Sequence, residues 1–156
     1  MTETSLLGEL VTSRARANLL LLLTLFSDDW LRFRDIQRRT GVGSRSPQRE
    51  LARLEALELP AREGEGWGDV RYRARTESAR WLPVWSAVRA FAEPAAVLDL
   101  VLAGLGGVDA AFLYGSIARG DARPDSDVDL FLVAEGIDEI ELACRTIVHT
   151  DLAWRS

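Results

Sequence analysis

Four residues have the types and spacing for chemistry on an anion: Gly115, Ser116, Asp127 and Asp129. Ala110 to Tyr114 reads as a short apolar strand. Gly115-Ser116 ends it and opens a helical turn running to Arg119. Backbone N–H groups at such a turn point toward an anion, and glycine allows close approach. Ser116 adds a hydroxyl donor and Arg119 a positive charge. A polar loop follows, in which Asp121 and Asp125 read as turn residues and Arg123 as an exposed one. Asp127-Val-Asp-Leu-Phe-Leu-Val133 reads as a second strand. Residues i and i+2 of a strand leave the same face, which would set the two carboxylates about 7 Å apart along it. Such a pair beside a phosphate-binding turn suits Mg²⁺ bridging a nucleoside triphosphate.

The elements that must position these residues begin upstream. Thr12 or Ser13 can cap a helix to about Phe26, apolar enough to be a core helix. Ser27-Asp28-Asp29 breaks it, Trp30 to Phe33 alternates as a short strand, and Asp35 to Thr40 is a short helix. After the turn Gly41-Val42-Gly43, Ser46 caps a third helix with Pro47 at its first position. Leu51, Leu54 and Leu57 should face inward, leaving Arg45, Gln48, Arg49 and Arg53 on the other face. Helix, glycine-containing turn and helix is the helix-turn-helix pattern. Pro60 to Glu63 and Val70 to Arg75 then read as a hairpin around a glycine-rich, acidic tip that carries Trp67. Trp81, Trp85 and Val88 repeat at helical spacing, as interdomain packing or, alternatively, as a dimer or ligand surface. Pro94 starts a further helix to about Leu105.

Composition bounds the alternatives. The chain has 156 residues, is 47% hydrophobic and 28% charged, and carries a formal charge of −5. Those are globular proportions. One cysteine and one histidine exclude a disulfide scaffold and a multi-histidine metal centre. No apolar run approaches the roughly 20 residues needed to cross a bilayer, and the N-terminus lacks a basic signal-peptide region. The expectation is a cytoplasmic protein away from membranes. Charge is unevenly divided: residues 1–93 hold 15 arginines against 13 carboxylates, and residues 94–156 hold 4 against 11. The acidic second part is no general nucleic-acid surface but can hold divalent cations; the arginine-rich first part can meet phosphate if its arginines share a face.

Residues 12–76 resemble the winged-helix regulators of the small bacterial repressor type. That resemblance implies that Arg45, Ser46, Gln48 and Arg49 reach base edges of an operator in double-stranded DNA, while Arg53, Arg71 and Arg73 meet phosphates. Such modules also serve in protein–protein contact, and the acidic hairpin tip departs from a basic wing. The Gly-Ser, ten residues, Asp-x-Asp pattern resembles the DNA polymerase β-like nucleotidyltransferase superfamily, in the minimal form found in toxin–antitoxin pairs. The resemblance covers about residues 95–156. It implies that Gly115, Ser116 and Arg119 hold the triphosphate and that Asp127 and Asp129 are catalytic and bind Mg²⁺. A third carboxylate would act as base. The reaction would transfer AMP from ATP to a protein hydroxyl.

The expected fold is therefore α+β. It comprises a winged helix (1–76), a helical connector (77–93) and a minimal nucleotidyltransferase domain (94–156) with a short mixed sheet. A homodimer is expected, with a cognate toxin as the protein partner. The third carboxylate is not identified. Ile140, Cys144, Ile147/Val148 and Leu152 repeat at helical spacing, which makes residues 138–154 a helix with Cys144 buried and His149 on its surface. A rival reading makes Arg145 to Thr150 a strand with Asp151 at its end. The alternative function is a degenerate, nucleotide-sensing or dimerising regulator without transfer.

Overall fold

The computed structural model describes residues 11–41, 45–65, 69–105, 107–123 and 126–135. The first helix, α1 (Arg14–Leu25), is capped by Ser13, whose extended backbone lets its hydroxyl accept from the Arg16 N–H at 3.3 Å. Nine of its twelve residues are buried. A helix apolar on nearly every side must be surrounded, and the next elements do that. The strand β1 (Leu31–Arg32) leads into α2 (Phe33–Thr40), which ends at Gly41 with φ +60°. Then come α3 (Arg45–Ala56), β2 (Pro60–Glu63) and β3 (Arg71–Ala74). The three strands form an antiparallel sheet in the order β1-β3-β2, with Tyr72 opposite both Leu31 and Arg62. Period-2 alternation buries Tyr72 and Ala74 and leaves Arg71 exposed and Arg73 half-buried.

Two further helices close the same core: α4 (Trp81–Phe91) contributes Trp81 and Val88, and α5 (Pro94–Leu102) contributes Val97, Leu100 and Val101. The aromatic spacing in α4 thus serves packing, with Trp85 half-buried under the Arg89 guanidinium at 4.4 Å. Leu51 and Leu54 of α3 are fully enclosed, but Leu57 is 52% exposed. The correction has a simple cause: α3 ends at Ala56, so Leu57 leaves the helical period that aims the other two inward.

Beyond α5 the chain forms β4 (Val108–Tyr114), the short helix α6 (Gly115–Arg119) and β5 (Asp129–Ala134). The architecture is α+β, as expected. The mixed sheet is not seen: among the described residues every strand pair is antiparallel. The register is that of a returning chain: Tyr114, the last residue of β4, pairs with Asp129, the first of β5, and Val108 at the start of β4 pairs with Ala134 at the end of β5. The expected helix over 138–154, its strand alternative and Trp67 lie outside the described residues.

The packing sets a contrast between neighbouring leucines. Leu54→Ala should cost about 3 kcal/mol through cavity formation, whereas Leu57→Ala should stay within about 0.5 kcal/mol. Urea denaturation of the two variants checks this.

Candidate functional site

The Gly-Ser turn and Asp129 meet at one end of the β4–β5 pair. Tyr114 ends β4 directly opposite Asp129, which opens β5. Gly115 follows with φ +73°, a conformation glycine adopts without strain. Its Cα lies against the Asp129 side chain. A Cβ built at Gly115 would collide with Asp129 Oδ2 and come within 3.0 Å of its Cγ. Glycine therefore suits the position by its backbone conformation, and any larger residue would also push the Asp129 carboxylate aside.

Asp127 departs from expectation. It precedes β5 rather than lying on it, and it is exposed where Asp129 is half-buried. The register explains this. With Tyr114 facing Asp129, a residue two places before Asp129 would have to pair with Ser116, which already belongs to α6. The two carboxylates are close in sequence at the mouth of the site, but they do not share a regular strand face.

Ser116 is half-buried, and its carbonyl accepts from the Asp121 N–H at 3.1 Å. Arg119 is exposed and donates from Nε to Asp121 Oδ2 at 3.2 Å. Asp121, read from sequence as a turn residue, thus closes the loop onto α6 and partly offsets the Arg119 charge. Arg123 is exposed, with its backbone N–H donating to Ser126 Oγ at 2.8 Å. Asp127 and Asp129 offer the hard oxygen donors that Mg²⁺ takes when substrate phosphates complete its shell. Among the described residues, no group of three or more His, Cys, Asp or Glu side chains converges as a metal cluster.

The arginine-rich face of α3 is organised by an acidic neighbour of its arginines, to which the sequence alone assigns no structural role. Glu50 is only 2% exposed. Its Oε2 accepts from Arg16 Nε of α1 at 2.9 Å, and its Oε1 from Arg53 Nη1 at 2.8 Å. Arg49 Nε lies 3.8 Å from the same Oε1. A carboxylate inside an arginine-rich helix, one place from Arg49 and three from Arg53, is the signal that could have found it. Gln48, Arg49 and Arg53 are exposed and Ser46 is half-buried; the Arg45 side chain is outside what the structure describes. On the hairpin, Arg71 stands 3.8 Å from Glu63, and Arg73 lies over the Trp30 ring at 4.9 Å. The structure therefore puts Gln48, Arg49 and Arg53 on one helix, and Arg71 and Arg73 on the strand hairpin after it.

Arg39 is a second residue that the sequence did not single out. It sits on α2 and donates to the carbonyls of Leu100 (3.2 Å) and Val101 (3.1 Å), capping the C-terminal end of α5. The Phe26 ring lies 4.7 Å beneath its guanidinium, and a side chain at Gly104 would collide with it. Burial lowers its pKa, aided by Arg38 and opposed by Asp35. The guanidinium nonetheless stays charged at neutral pH. Burial also raises the pKa of Glu55 against the pull of Arg62 and Arg75, and raises that of Tyr72, with Glu55 adding to the effect.

The Gly115–Asp129 contact gives a thermodynamic cycle. Gly115→Ala should destabilise the protein by about 2 kcal/mol, from positive φ and overpacking together. Gly120→Ala has the same sign of φ (+76°) but open space around it, so it should cost about 1 kcal/mol. Placing Gly115→Ala on an Asp129→Ala background should recover the difference, as read by thermal melts of the double-mutant cycle.

The family described as Polymerase beta, Nucleotidyltransferase matches residues 99–150, a stretch that includes Gly115, Ser116, Arg119, Asp127 and Asp129. That match supports a nucleotidyltransferase domain here and, at the coarse level, nucleotidyl transfer as its chemistry. No curated protein and no solved structure matches the chain. Among the described residues, no helix is long and apolar enough to cross a membrane.

Proposed function

We propose that this protein is a DNA-binding regulator of the antitoxin kind whose C-terminal part transfers AMP from ATP to a hydroxyl of a partner protein. One observation carries the catalytic half: Gly115 and Asp129 are packed together within the stretch that matches the nucleotidyltransferase family. The Gly-Ser turn and one of the two aspartates therefore belong to one site rather than to two coincidental motifs.

Gly115, Ser116 and Arg119 would line the polyphosphate, with the absent Cβ at Gly115 letting the Asp129 carboxylate sit against the turn. Asp127 and Asp129 would hold Mg²⁺, which nucleotidyltransferases of this family generally use with a nucleoside triphosphate, and whose bound form neutralises phosphate charge. The acceptor oxygen forms a bond to the α-phosphorus, the bond from that phosphorus to the bridging oxygen breaks, and pyrophosphate leaves. The hydroxyl proton passes to water. Orientation and charge neutralisation would supply the rate.

The regulatory half rests on the order of elements from α2 to β3, which reads as a winged helix. In that frame α3 enters the major groove, with Arg45, Ser46, Gln48 and Arg49 toward base edges. Arg53, Arg71 and Arg73 would meet phosphates. Glu50 would hold Arg53 in place, since a salt-bridged arginine loses less freedom on meeting a phosphate. A homodimer acting on a palindromic operator in the cytoplasm completes the reading.

Two tests follow. Mg²⁺-dependent labelling from α-labelled ATP in a lysate of the source organism should give a protein band with wild type. Asp127→Ala/Asp129→Ala should reduce it at least about 100-fold. Nucleotide binding without any labelled band would instead identify a nucleotide-sensing regulator. Separately, Arg49→Ala should weaken binding to the protein's own upstream DNA about tenfold and relax its sequence preference. Unchanged affinity and preference, measured at fixed salt, would overturn the assignment of α3 to the bases.

A further inference from the structure

The face of the β4–β5 sheet that carries Asp129 also carries an exposed aromatic row. In an antiparallel pair, residues directly opposite each other share a face. Tyr114 faces Asp129, Phe112 faces Phe131, and Ala110 faces Val133. Phe112 and Phe131 are 58% and 57% exposed, Tyr114 is 54% exposed and Val133 is 44% exposed. The opposite face is different: Leu113, Leu130 and Leu132 are half-buried. The larger apolar side chains are thus turned outward, on the face where the carboxylate lies.

We propose that the Phe112–Phe131 pair is a stacking platform for the base of the nucleoside triphosphate, one sheet row below the phosphate end of the site. This deepens the nucleotidyltransferase reading and rests on it. The spacing is right for it. Rows on one face are about 7 Å apart, so a phosphate held at the Tyr114–Asp129 row leaves one ribose's reach to the Phe112–Phe131 row. Size selects among occupants. Aromatic side chains bury about 150–250 Å² each, so the three aromatic ones, each a little over half exposed, offer about 250–400 Å², to which Val133 adds a small part. A stable interface between two copies needs about 800 Å² on each. The patch falls well short of that and suits a planar heterocycle. No polar side chain shares the Phe112–Phe131 row to read a base edge. The platform therefore takes any base by its π-face and favours the larger purines.

The test separates base from phosphate. Binding of Mg·ATP, Mg·CTP and Mg·tripolyphosphate is measured by calorimetry on the full chain and on Phe131→Leu and Phe112→Leu. Both side chains are more than half exposed, so neither substitution opens a core cavity. Circular dichroism verifies folding, and either variant alone suffices as the test. Each variant should bind ATP about tenfold more weakly and tripolyphosphate as wild type does, and wild type should prefer ATP to CTP. Equal losses for ATP and tripolyphosphate, or no loss for either, overturn the platform while leaving the phosphate site standing. Wild type that binds neither probe overturns the nucleotide reading and the platform with it. Sedimentation of the same samples covers the rival occupant: a dimer that Phe131→Leu converts to monomer would assign the face to a second copy and overturn the proposal.

Discussion

The near-complete burial of α1 is the constraint around which the N-terminal part is arranged. Nine of its twelve residues are shut away from water. At about 25 cal/mol per Å² of apolar surface, leaving even one side of such a helix open would forfeit several kcal/mol, comparable to the whole stability of a small domain. Helices α2, α3, α4 and α5, with strand β3, all pack on it. The consequence reaches the surface. With the inward face of α3 fixed by Leu51 and Leu54, Gln48, Arg49 and Arg53 can only point away from the core. The arginine face is thus a by-product of covering α1, and Glu50 adjusts it by joining α1 to α3 through Arg16.

The same core reaches toward the site at the end of β4. Helix α5 contributes to the core around α1, and Arg39 of α2 caps its last turn. From there a glycine-containing turn leads directly into β4 and thence to Gly115. The guanidinium occupies the space that a side chain at Gly104 would fill, so a small residue there is a packing requirement rather than a phosphate signature. The chain thus passes from a core that specifies a helix face to a sheet end that specifies a carboxylate.

Much of this was legible because the relevant forces are local. Ser13 as a cap, the period-3.6 burial of Leu51 and Leu54, and the alternation around Tyr72 are all written in neighbouring residues. The Gly-Ser turn and Asp129 were legible for the same reason, since their types and spacing are themselves the signal. What escaped was non-local. Leu57 looked periodic, but the helix ends before it. Asp127 looked like a strand residue, but cross-strand register, set by where β4 stops, excludes it from the ladder. The antiparallel sense of β4 and β5 lies in pairing between the strands, from Tyr114–Asp129 to Val108–Ala134, which neither strand's own pattern carries. The roles of Glu50 and Arg39 depend on partners 34 residues and about twice that distance along the chain, which no window of sequence contains.

On the proposed function, the uneven charge would suit the two parts to different ligands. Residues 1–93 carry a small net positive charge and residues 94–156 a strong negative one. A polyanion such as DNA is attracted to the first and repelled by the second over about a Debye length, roughly 8–10 Å at ordinary salt. A nucleotide faces the same acidic field at Asp127 and Asp129. On the proposed function it would enter when cations neutralise its phosphates and the carboxylates together. Local cationic help is small, because Arg119 is already shared with Asp121. On the proposed function, affinity for the nucleotide would come from a cation at the phosphate end and from uncharged contacts elsewhere. An apolar face that adjoins the carboxylate is the kind of surface that supplies contact without further charge.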